Sequence, residues 1–271
     1  LALIAGPMGK CAQIPLHLWL DEAMESPLPS TVLRNSVVVI GGAWVLLRLE
    51  PLIALSPLVQ GVLVVVGGTT ALVAALIALG QVDVKRAMSF LVSSWLGLLF
   101  VAVGLGGIGV ADHLLLVYPL PMALMLMSVG TIVISNVTQD LTQLGGLWSK
   151  RPLIGIAFLV GAGGLMGLPP FASFAALREL LALTAASGHP VLLGGVVLVA
   201  GGRGVAPLLF AADALAERLR VPRWKRFFLA GASAVALSAP SPRDAPLQAR
   251  SCAMPRPWTP GSPTRAAPRC C

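Results

Sequence analysis

The sequence predicts an all-α fold, a polytopic bundle of transmembrane helices in which two helices are broken by proline. Of the 271 residues, 56% are hydrophobic and 11% are charged, whereas a soluble domain is about 25% charged. Apolar runs of about 20 residues, the length that crosses a bilayer, recur along the chain. Prolines interrupt two of these runs near their centres, at Pro15 and at Pro169–Pro170.

Each span is predicted from one apolar run. Residues 1–20 form the first, residues 174–187 are a half-span continuing the run before it, and the other runs fill 30–49, 58–80, 88–109, 113–135, 153–172 and 190–212. We therefore expect a transmembrane domain of about seven spans over residues 1–212. Paired interrupted spans are typical of inverted-repeat transporters. Because the first run starts abruptly at Leu1, we interpret the chain as N-terminally truncated, a remnant of such a fold.

Charge in the loops predicts the orientation. Lys85 and Arg86, Lys150 and Arg151, and the basic tail all fall on one predicted side, and the loops near 50–57, 107–112 and 188–190 carry no Lys or Arg. The positive-inside rule makes the first side cytoplasmic. We accordingly expect an integral membrane protein in contact with the lipid bilayer, with Lys85 and Arg86 as topology anchors.

The net charge of +8 arises in the last quarter of the chain. Residues 1–202 carry eight basic and eight acidic side chains, so no nucleic-acid partner is predicted for the apolar part. Residues 213–238 form a basic segment of uncertain structure, and residues 239–271, with eight prolines and five arginines, are expected to be disordered. This tail fits either a frameshift near residue 203 or a genuine basic tail on the membrane surface. Three of the four cysteines lie in it, at spacings that fit no metal site.

Three polar residues near the first break are candidates for proton movement. Lys10 lies inside an apolar span, where a charge costs about 2.5–3.5 kcal/mol, so we expect a buried lysine that relays protons rather than one that snorkels from a helix end. Histidine is a common side chain for proton relay, and for His17 relay and helix capping are equally open. Glu25 is either a point of proton uptake or part of a solvated turn; Glu22 fits the turn.

Four motifs in this order resemble one family. From residue 9 the chain reads Gly-Lys-Cys-Ala-Gln-Ile-Pro-Leu-His-Leu-Trp-Leu, and the later motifs are Asp-Val-Lys-Arg from residue 83, Gln-Asp-Leu and Gly-Gly-Leu from residues 139 and 145, and Gly-Leu-Pro-Pro-Phe from residue 167. Over about residues 1–200 the chain resembles the large antiporter-like membrane subunits of complex I, which are similar to Mrp-type antiporter subunits.

The resemblance implies a proton-translocating subunit of an NAD(P)H– or ferredoxin–quinone oxidoreductase in a bacterial inner membrane or a thylakoid. Lys10 would then belong to a chain of charges through the membrane arm. The partners would be other membrane-arm subunits. The subunit itself would bind no flavin, iron–sulfur cluster or nicotinamide; the implied complex uses quinone, iron–sulfur clusters and NAD(P)H or ferredoxin. Whether the chain counts as an enzyme is left open, since it would be a non-catalytic subunit.

The chain also departs from the family pattern. The family usually has a histidine at the position of Asn35. It also usually has a lysine at the position of Met122, preceded by histidines at the positions of Tyr118 and Leu114. Here His113 lies one place from the second of these histidine positions, and Pro119 and Pro121 are additional. After the second break, the charged pair becomes Leu177-Arg178, followed by Glu179. Such losses are similar to those of the variant subunit in cyanobacterial complexes specialised for CO2 uptake.

The proposed proton-translocation residues are therefore Lys10, His17, Glu25, His113, Arg178 and Glu179. Two other functions stay open at this point. One is a stand-alone Mrp-type cation/proton antiporter subunit, which the loss of the second lysine disfavours. The other is a non-functional truncated gene product, which the abrupt start and the tail favour.

Overall fold

The computed structural model describes residues 2–81, 83–136, 152–169 and 171–201. Within these ranges the chain is helical and contains no β-strand, which confirms the predicted all-α fold. The predictions for residues 213–238 and 239–271, and for a frameshift near residue 203, lie outside the described residues. So does most of the basic loop at 136–152.

The first span is broken at Pro15, as predicted. Helix α1 (Ala2–Lys10) ends before an irregular stretch, after which α2 (Leu18–Glu22) and a 3-10 turn (Ala23–Glu25) follow. Proline lacks the backbone N–H that would continue the helical ladder. Ala12 also leaves the helix, because its φ of 49° lies in the left-handed region.

The second span contains a π-helical segment that was not predicted. Helix α3 (Leu28–Leu33) leads into five π-helical residues (Arg34–Val38) and then into α4 (Val39–Arg48), giving one 21-residue segment. The predicted run was 30–49. A short helix α5 (Glu50–Ile53) follows. π-Helical turns are rare and are frequently found at functional sites.

Helices α6 (Pro57–Gly80) and α7 (Val84–Gly104) form a closely packed hairpin at the centre of the bundle. The apolar stretch of α7 is entirely buried inside the described chain. Gly67 and Gly97 face each other across this hairpin, and a Cβ at either position would lie 2.6 Å from the carbonyl oxygen of the other. The Asp83 side chain caps α7 by accepting a hydrogen bond from the Lys85 backbone N–H at 3.2 Å.

The predicted span at 113–135 is longer in the structure and is bent. It comprises α8 (Ile108–Val117) and α9 (Pro119–Asn136), with the bend at Tyr118. Pro119 and Pro121 each remove a backbone donor from the helical ladder, which explains the bend. The apolar run alone predicts a continuous span here.

The second broken span is confirmed at Pro169, which lies in a turn between α10 (Pro152–Met166) and α11 (Ala172–Ala186). Pro170 lies outside the described residues. Gly167 permits the reversal, since its φ of +71° is a conformation that side chains disfavour. A last helix, α12, covers Pro190–Gly201. In the described part of the chain, four segments are long and apolar enough to cross a membrane: Leu28–Arg48, Pro57–Gly80, Val84–Gly104 and Ile108–Ile134.

Gly167→Ala is expected to destabilise the second break. The new Cβ would clash with Leu177 Cδ1 in addition to the strain of a positive φ. The matched control is Gly188→Ala, because Gly188 has a φ of +72° with nothing within 4 Å of a Cβ. Thermal unfolding in detergent should show a loss of about 1–3 kcal/mol for positive-φ strain in both variants, and a larger loss at Gly167. Equal losses would show that the contact with Leu177 does not hold the break.

Candidate functional site

Lys10 is the last residue of α1 and rests on a pair of glycines in α4. A Cβ on Gly42 would lie 3.0 Å from the Lys10 Cβ, and a Cβ on Gly41 would lie 3.8 Å from its Nζ. The lysine stem therefore occupies space that any larger residue at position 42 would take. The glycine pair fixes where this charge sits along the second span.

The expectation that Lys10 is buried is wrong within this chain, since its side chain is exposed. Helix α1 packs against α4, and its buried residues are Ile4 and Pro7. The Lys10 stem and its ammonium group therefore both lie beside the glycine pair of α4, on an exposed face of the described helices. Lys10 does lie where the first span is interrupted, as predicted.

The break after Lys10 is held by one hydrogen bond to α6 and by two hydrogen bonds within the first span. The Ile14 backbone N–H donates to Thr70 Oγ1 of α6 at 3.1 Å, and the Trp19 indole donates to the Gly9 carbonyl at 2.8 Å. The buried Gln13 amide donates to the Cys11 carbonyl at 3.1 Å, and its Oε1 has no hydrogen-bond partner among the described residues. Backbone groups that leave a helix inside a membrane need such partners, so these hydrogen bonds stabilise the irregular stretch.

His17 precedes α2 and packs beside Phe90 of α7, with the ring centroids 6.3 Å apart. The side chain makes no capping hydrogen bond to α2, so the capping alternative is not realised in this structure. Its Nδ1 is buried and has no hydrogen-bond partner in the described part of the chain. A buried polar atom of this kind is a site for an ordered water or a proton partner.

Glu25 lies in a solvent-exposed turn, with 82% of its side chain accessible. Its carboxylate is 3.7 Å from the Arg86 guanidinium of α7, and Arg86 also lies 3.9 Å from the Asp83 carboxylate. This exposed cluster joins the end of the first span to the start of α7. Among the described residues, no hydrogen bond or ion pair joins Lys10, His17 and Glu25 to one another.

The structure brings together two of the predicted residues that are 66 positions apart in sequence. His113 Nδ1 of α8 lies 2.9 Å from Glu179 Oε2 of α11, and the two side chains are 46% and 41% exposed. Arg178, the third predicted residue in this region, is exposed next to Glu179. The pair links α8 and α11 through a hydrogen bond. When His113 is protonated and Glu179 is ionised, this contact is also an ion pair.

Tyr118 and Asn35, which both depart from the family pattern, form a buried contact. The Tyr118 hydroxyl donates to the Asn35 backbone carbonyl in the π-helical segment at 2.6 Å. Trp95 lies beside the Tyr118 ring at 6.1 Å and donates its indole N–H to the Leu114 carbonyl at 3.1 Å. Tyr118 is the only tyrosine of the chain. Because a tyrosine inside an apolar span needs a hydrogen-bond partner, its position in the sequence is a signal that indicates a buried polar contact.

Tyr118→Phe is expected to destabilise the fold by about 1–3 kcal/mol, because it leaves the buried Asn35 carbonyl without this donor. Thr69→Val is the control, since the Thr69 hydroxyl is exposed and bonds only within its own helix, to the Val65 and Val66 carbonyls. Unfolding midpoints in detergent would measure both. A Tyr118→Phe protein as stable as the parent would show that the π-helical segment does not depend on this bond.

Comparison with known proteins identifies the family. Residues 1–201 match the family described as NADH:quinone oxidoreductase/Mrp antiporter, transmembrane. The chain belongs to this family. Membership and the apolar spans together make it an integral membrane protein.

Several relatives of this family are similar over most of the described region. The chain is 46% identical over 174 residues to NAD(P)H-quinone oxidoreductase subunit 5, organellar chromatophore 2, of Paulinella chromatophora, covering 64% of this chain and 28% of the relative. It is 34% identical over 201 residues to NADH-quinone oxidoreductase subunit L of Pseudomonas aeruginosa, covering 73% of this chain and 33% of the relative. The chain thus spans a third or less of the length of these relatives.

A solved structure shows the same fold. The chain superposes on a chain of the Mrp complex from Dietzia sp. with a TM-score of 0.74 at 23% identity, covering 81% of this chain and 42% of the other. The predicted antiporter-type helical bundle is thereby confirmed as the fold of this family member.

Proposed function

We propose that the chain is a proton-translocating part of the membrane arm of a complex I-type NAD(P)H– or ferredoxin–quinone oxidoreductase. In this role it couples quinone reduction, carried out elsewhere in the complex, to proton movement through charged side chains in its spans. The observation that carries the proposal is Lys10, a cation placed at a hydrogen-bonded break inside a membrane span of this family.

The position of Lys10 supports movement of charge rather than a purely structural role. A charge facing hydrocarbon costs about 2.5–3.5 kcal/mol, and the exposed Lys10 ammonium is not neutralised by an ion pair to any described residue. A neighbouring membrane segment or a polar cavity must therefore cover it. Broken helices of this kind line polar cavities in transporters. We propose His17, whose Nδ1 lacks a partner among the described residues, as the next group towards the turn that carries Glu25.

The cofactors belong to the other subunits in this proposal. Quinone, iron–sulfur clusters and NAD(P)H or ferredoxin would be held outside this chain, and the partners would be the other membrane-arm subunits. The names of the relatives support the assignment to an oxidoreductase complex with further subunits, since they are subunits of NAD(P)H- and NADH-quinone oxidoreductases. Because the chain departs from the family pattern at Asn35, Tyr118 and Met122, we propose the CO2-uptake type as its subtype.

A second candidate is a Mrp-type cation/proton antiporter subunit, which the structural similarity to the Dietzia complex favours. Co-purification separates the two. The chain would be tagged in its source cell, extracted in a mild detergent, and the bound proteins identified by mass spectrometry. Peripheral-arm subunits carrying iron–sulfur clusters support the proposal. Antiporter subunits without them support the second candidate. Recovery of the chain alone, or only of its degradation products, would contradict both and support a non-functional gene product.

A further inference from the structure

We infer that Tyr118, Trp95 and Asn35 form an internal barrier, which stops water and protons from crossing between the two broken spans through the inside of the chain. The barrier is the buried contact in which the Tyr118 hydroxyl donates to the Asn35 carbonyl at 2.6 Å while the Trp95 ring lies beside the Tyr118 ring. The inference concerns passive leakage through the chain. It therefore goes beyond the proposed function and holds equally for the antiporter alternative.

The barrier lies between the two breaks. Helix α1, which ends at the first break, packs on α4; α4 packs on α8; and α8 packs on α11, which begins after the second break. Tyr118 directly follows α8, and Asn35 lies in the π-helical segment that leads into α4, so their hydrogen bond spans the middle of this series. Any path that follows these helix contacts from one break to the other passes the barrier.

The contact lies well inside both spans. Asn35 is seven residues from the nearer end of Leu28–Arg48, and Tyr118 is ten residues from the nearer end of Ile108–Ile134. At about 1.5 Å of rise per residue, each lies at least about 10 Å from the end of its span. Since the hydrocarbon core is about 30 Å thick, the barrier is at membrane depth.

Large, packed side chains join three spans at this level. Trp95 and Tyr118 are each 1% exposed, and their ring centroids are 6.1 Å apart. The Trp95 indole N–H of α7 donates to the Leu114 carbonyl of α8 at 3.1 Å, and the Tyr118 hydroxyl donates to the second span. Both aromatic side chains thus have their polar ends satisfied while their rings fill the space between the helices. Interiors packed in this way leave few voids larger than a water molecule.

The groups that meet here cannot pass a proton on. A backbone carbonyl accepts a hydrogen bond but has no proton to release, and an indole N–H only donates. A tyrosine hydroxyl ordinarily titrates near pH 10, so it keeps its proton at neutral pH. Both hydrogen bonds of the aromatic pair end on carbonyls, those of Asn35 and Leu114. Proton movement across this level would therefore need a row of water molecules, which the packed rings exclude.

The Asn35 side chain indicates what would happen without the Tyr118 ring. Its Nδ2 donates to the Thr31 carbonyl at 2.9 Å, whereas its Oδ1 is buried and has no hydrogen-bond partner among the described residues. A cavity lined by polar atoms holds water, whereas an apolar cavity stays dry. The space left by a phenol ring would border the Asn35 carbonyl and exceed the volume of about 30 Å³ that a water molecule takes up in the liquid. We expect that space to fill with water.

Passive proton leak through the full chain in liposomes tests the barrier. A potassium gradient with valinomycin drives protons inwards, and an internal pH-sensitive dye reports their entry. Tyr118→Ala is expected to raise the leak at least about tenfold, because it replaces a dry constriction with a wet one. Tyr118→Phe keeps the ring and should leak like the parent. Leu63→Ala is the control for general loosening of the core, since Leu63 is fully buried and lies on α6.

Two results of the leak measurement would overturn the inference. One is a folded Tyr118→Ala protein that leaks no more than the parent. The other is an equal rise in Leu63→Ala, because general loosening would then explain the leak. If Tyr118→Ala does not fold, Trp95→Leu replaces it, since this change opens the same contact from α7. No electron transfer or partner subunit takes part, so neither result bears on the proposed function.

Cys11 can report whether water enters at the barrier. Its side chain is fully buried, and its Sγ lies 3.5 Å from the carbonyl of Val39, one turn after Asn35. With the three tail cysteines replaced by serine, Cys11 is the only thiol of the chain. A cysteine buried in apolar surroundings is inert, so Tyr118→Ala is expected to speed its reaction with a small water-soluble methanethiosulfonate at least about tenfold. A rate as slow as in the parent would show that water does not enter here and would overturn the inference.

Discussion

Replacing Lys10 with alanine is expected to lower proton translocation by the assembled complex about tenfold or more, with the subunit still present in the membrane. The reason is that Lys10 is the cation at the break of the first span, and the Ile14–Thr70 and Trp19–Gly9 hydrogen bonds that hold this break do not involve its side chain. The break should therefore survive the substitution while the charge is lost. Proton uptake into proteoliposomes, driven by electron transfer to quinone, is the measurement.

Lys10→Arg distinguishes a relay from a fixed charge. Arginine keeps a positive charge at this position but does not release its proton in proteins, whereas lysine does so when its surroundings demand it. A relay predicts that Lys10→Arg is about as impaired as Lys10→Ala; a fixed charge predicts near-normal transport. Arg48→Ala is the control, because Arg48 is an exposed cation stacked 4.8 Å from the Trp44 ring centroid. Normal transport in Lys10→Ala would refute the role of Lys10 altogether.

The spans and their breaks could be predicted because both follow from local chemistry. An apolar run of about 20 residues is sufficient evidence for a crossing, and the prolines at 15 and 169 remove backbone donors wherever the chain folds. The predicted runs agree closely with α6 and with the segment Leu28–Arg48. Pro119 and Pro121 signal the bend at Tyr118, although a prediction from the apolar run alone does not include it.

The contacts that build the site could not be predicted, because they depend on which helix faces meet. His113 and Glu179 are 66 residues apart, and Tyr118 and Asn35 are 83 apart. Their residue types indicate polar groups in apolar spans, but the neighbouring sequence does not determine which of these groups will contact each other. Lys10 shows the same limit in reverse: its sequence position suggested burial, and its exposure follows from α1 packing with Ile4 and Pro7 inward.

The close contact between α6 and α7 gives the prediction with the largest expected effect on stability, Gly67→Ala. A Cβ at position 67 would lie 2.6 Å from the Gly97 carbonyl oxygen, 2.7 Å from the Phe100 Cβ and 3.0 Å from the Val101 backbone nitrogen. Two of these three atoms belong to the backbone of α7, which cannot rotate away. The substitution must push the two helices apart.

Because α6 and α7 form the centre of the bundle, their separation disturbs every helix that packs on α7. Overpacking of a tight core typically costs about 1–3 kcal/mol, and we expect Gly67→Ala to reach about 3 kcal/mol. Gly61→Ala is the matched control on the same helix, since a Cβ there meets nothing within 4 Å. That change should instead be neutral or stabilising by up to about 1 kcal/mol, because alanine favours the helix. Reversible unfolding in mixed micelles would measure both.

The double variant Gly67→Ala/Gly97→Ala tests whether the two glycines share one contact. Each new Cβ would lie 2.6 Å from the other residue's carbonyl oxygen, so a single displacement of α6 from α7 relieves both clashes. The combined loss of stability should therefore be smaller than the sum of the two single losses, as is usual for residues in direct contact. Additive losses would mean that each glycine is needed for a separate reason. The shared close approach of α6 and α7 would then not explain why both positions are glycine.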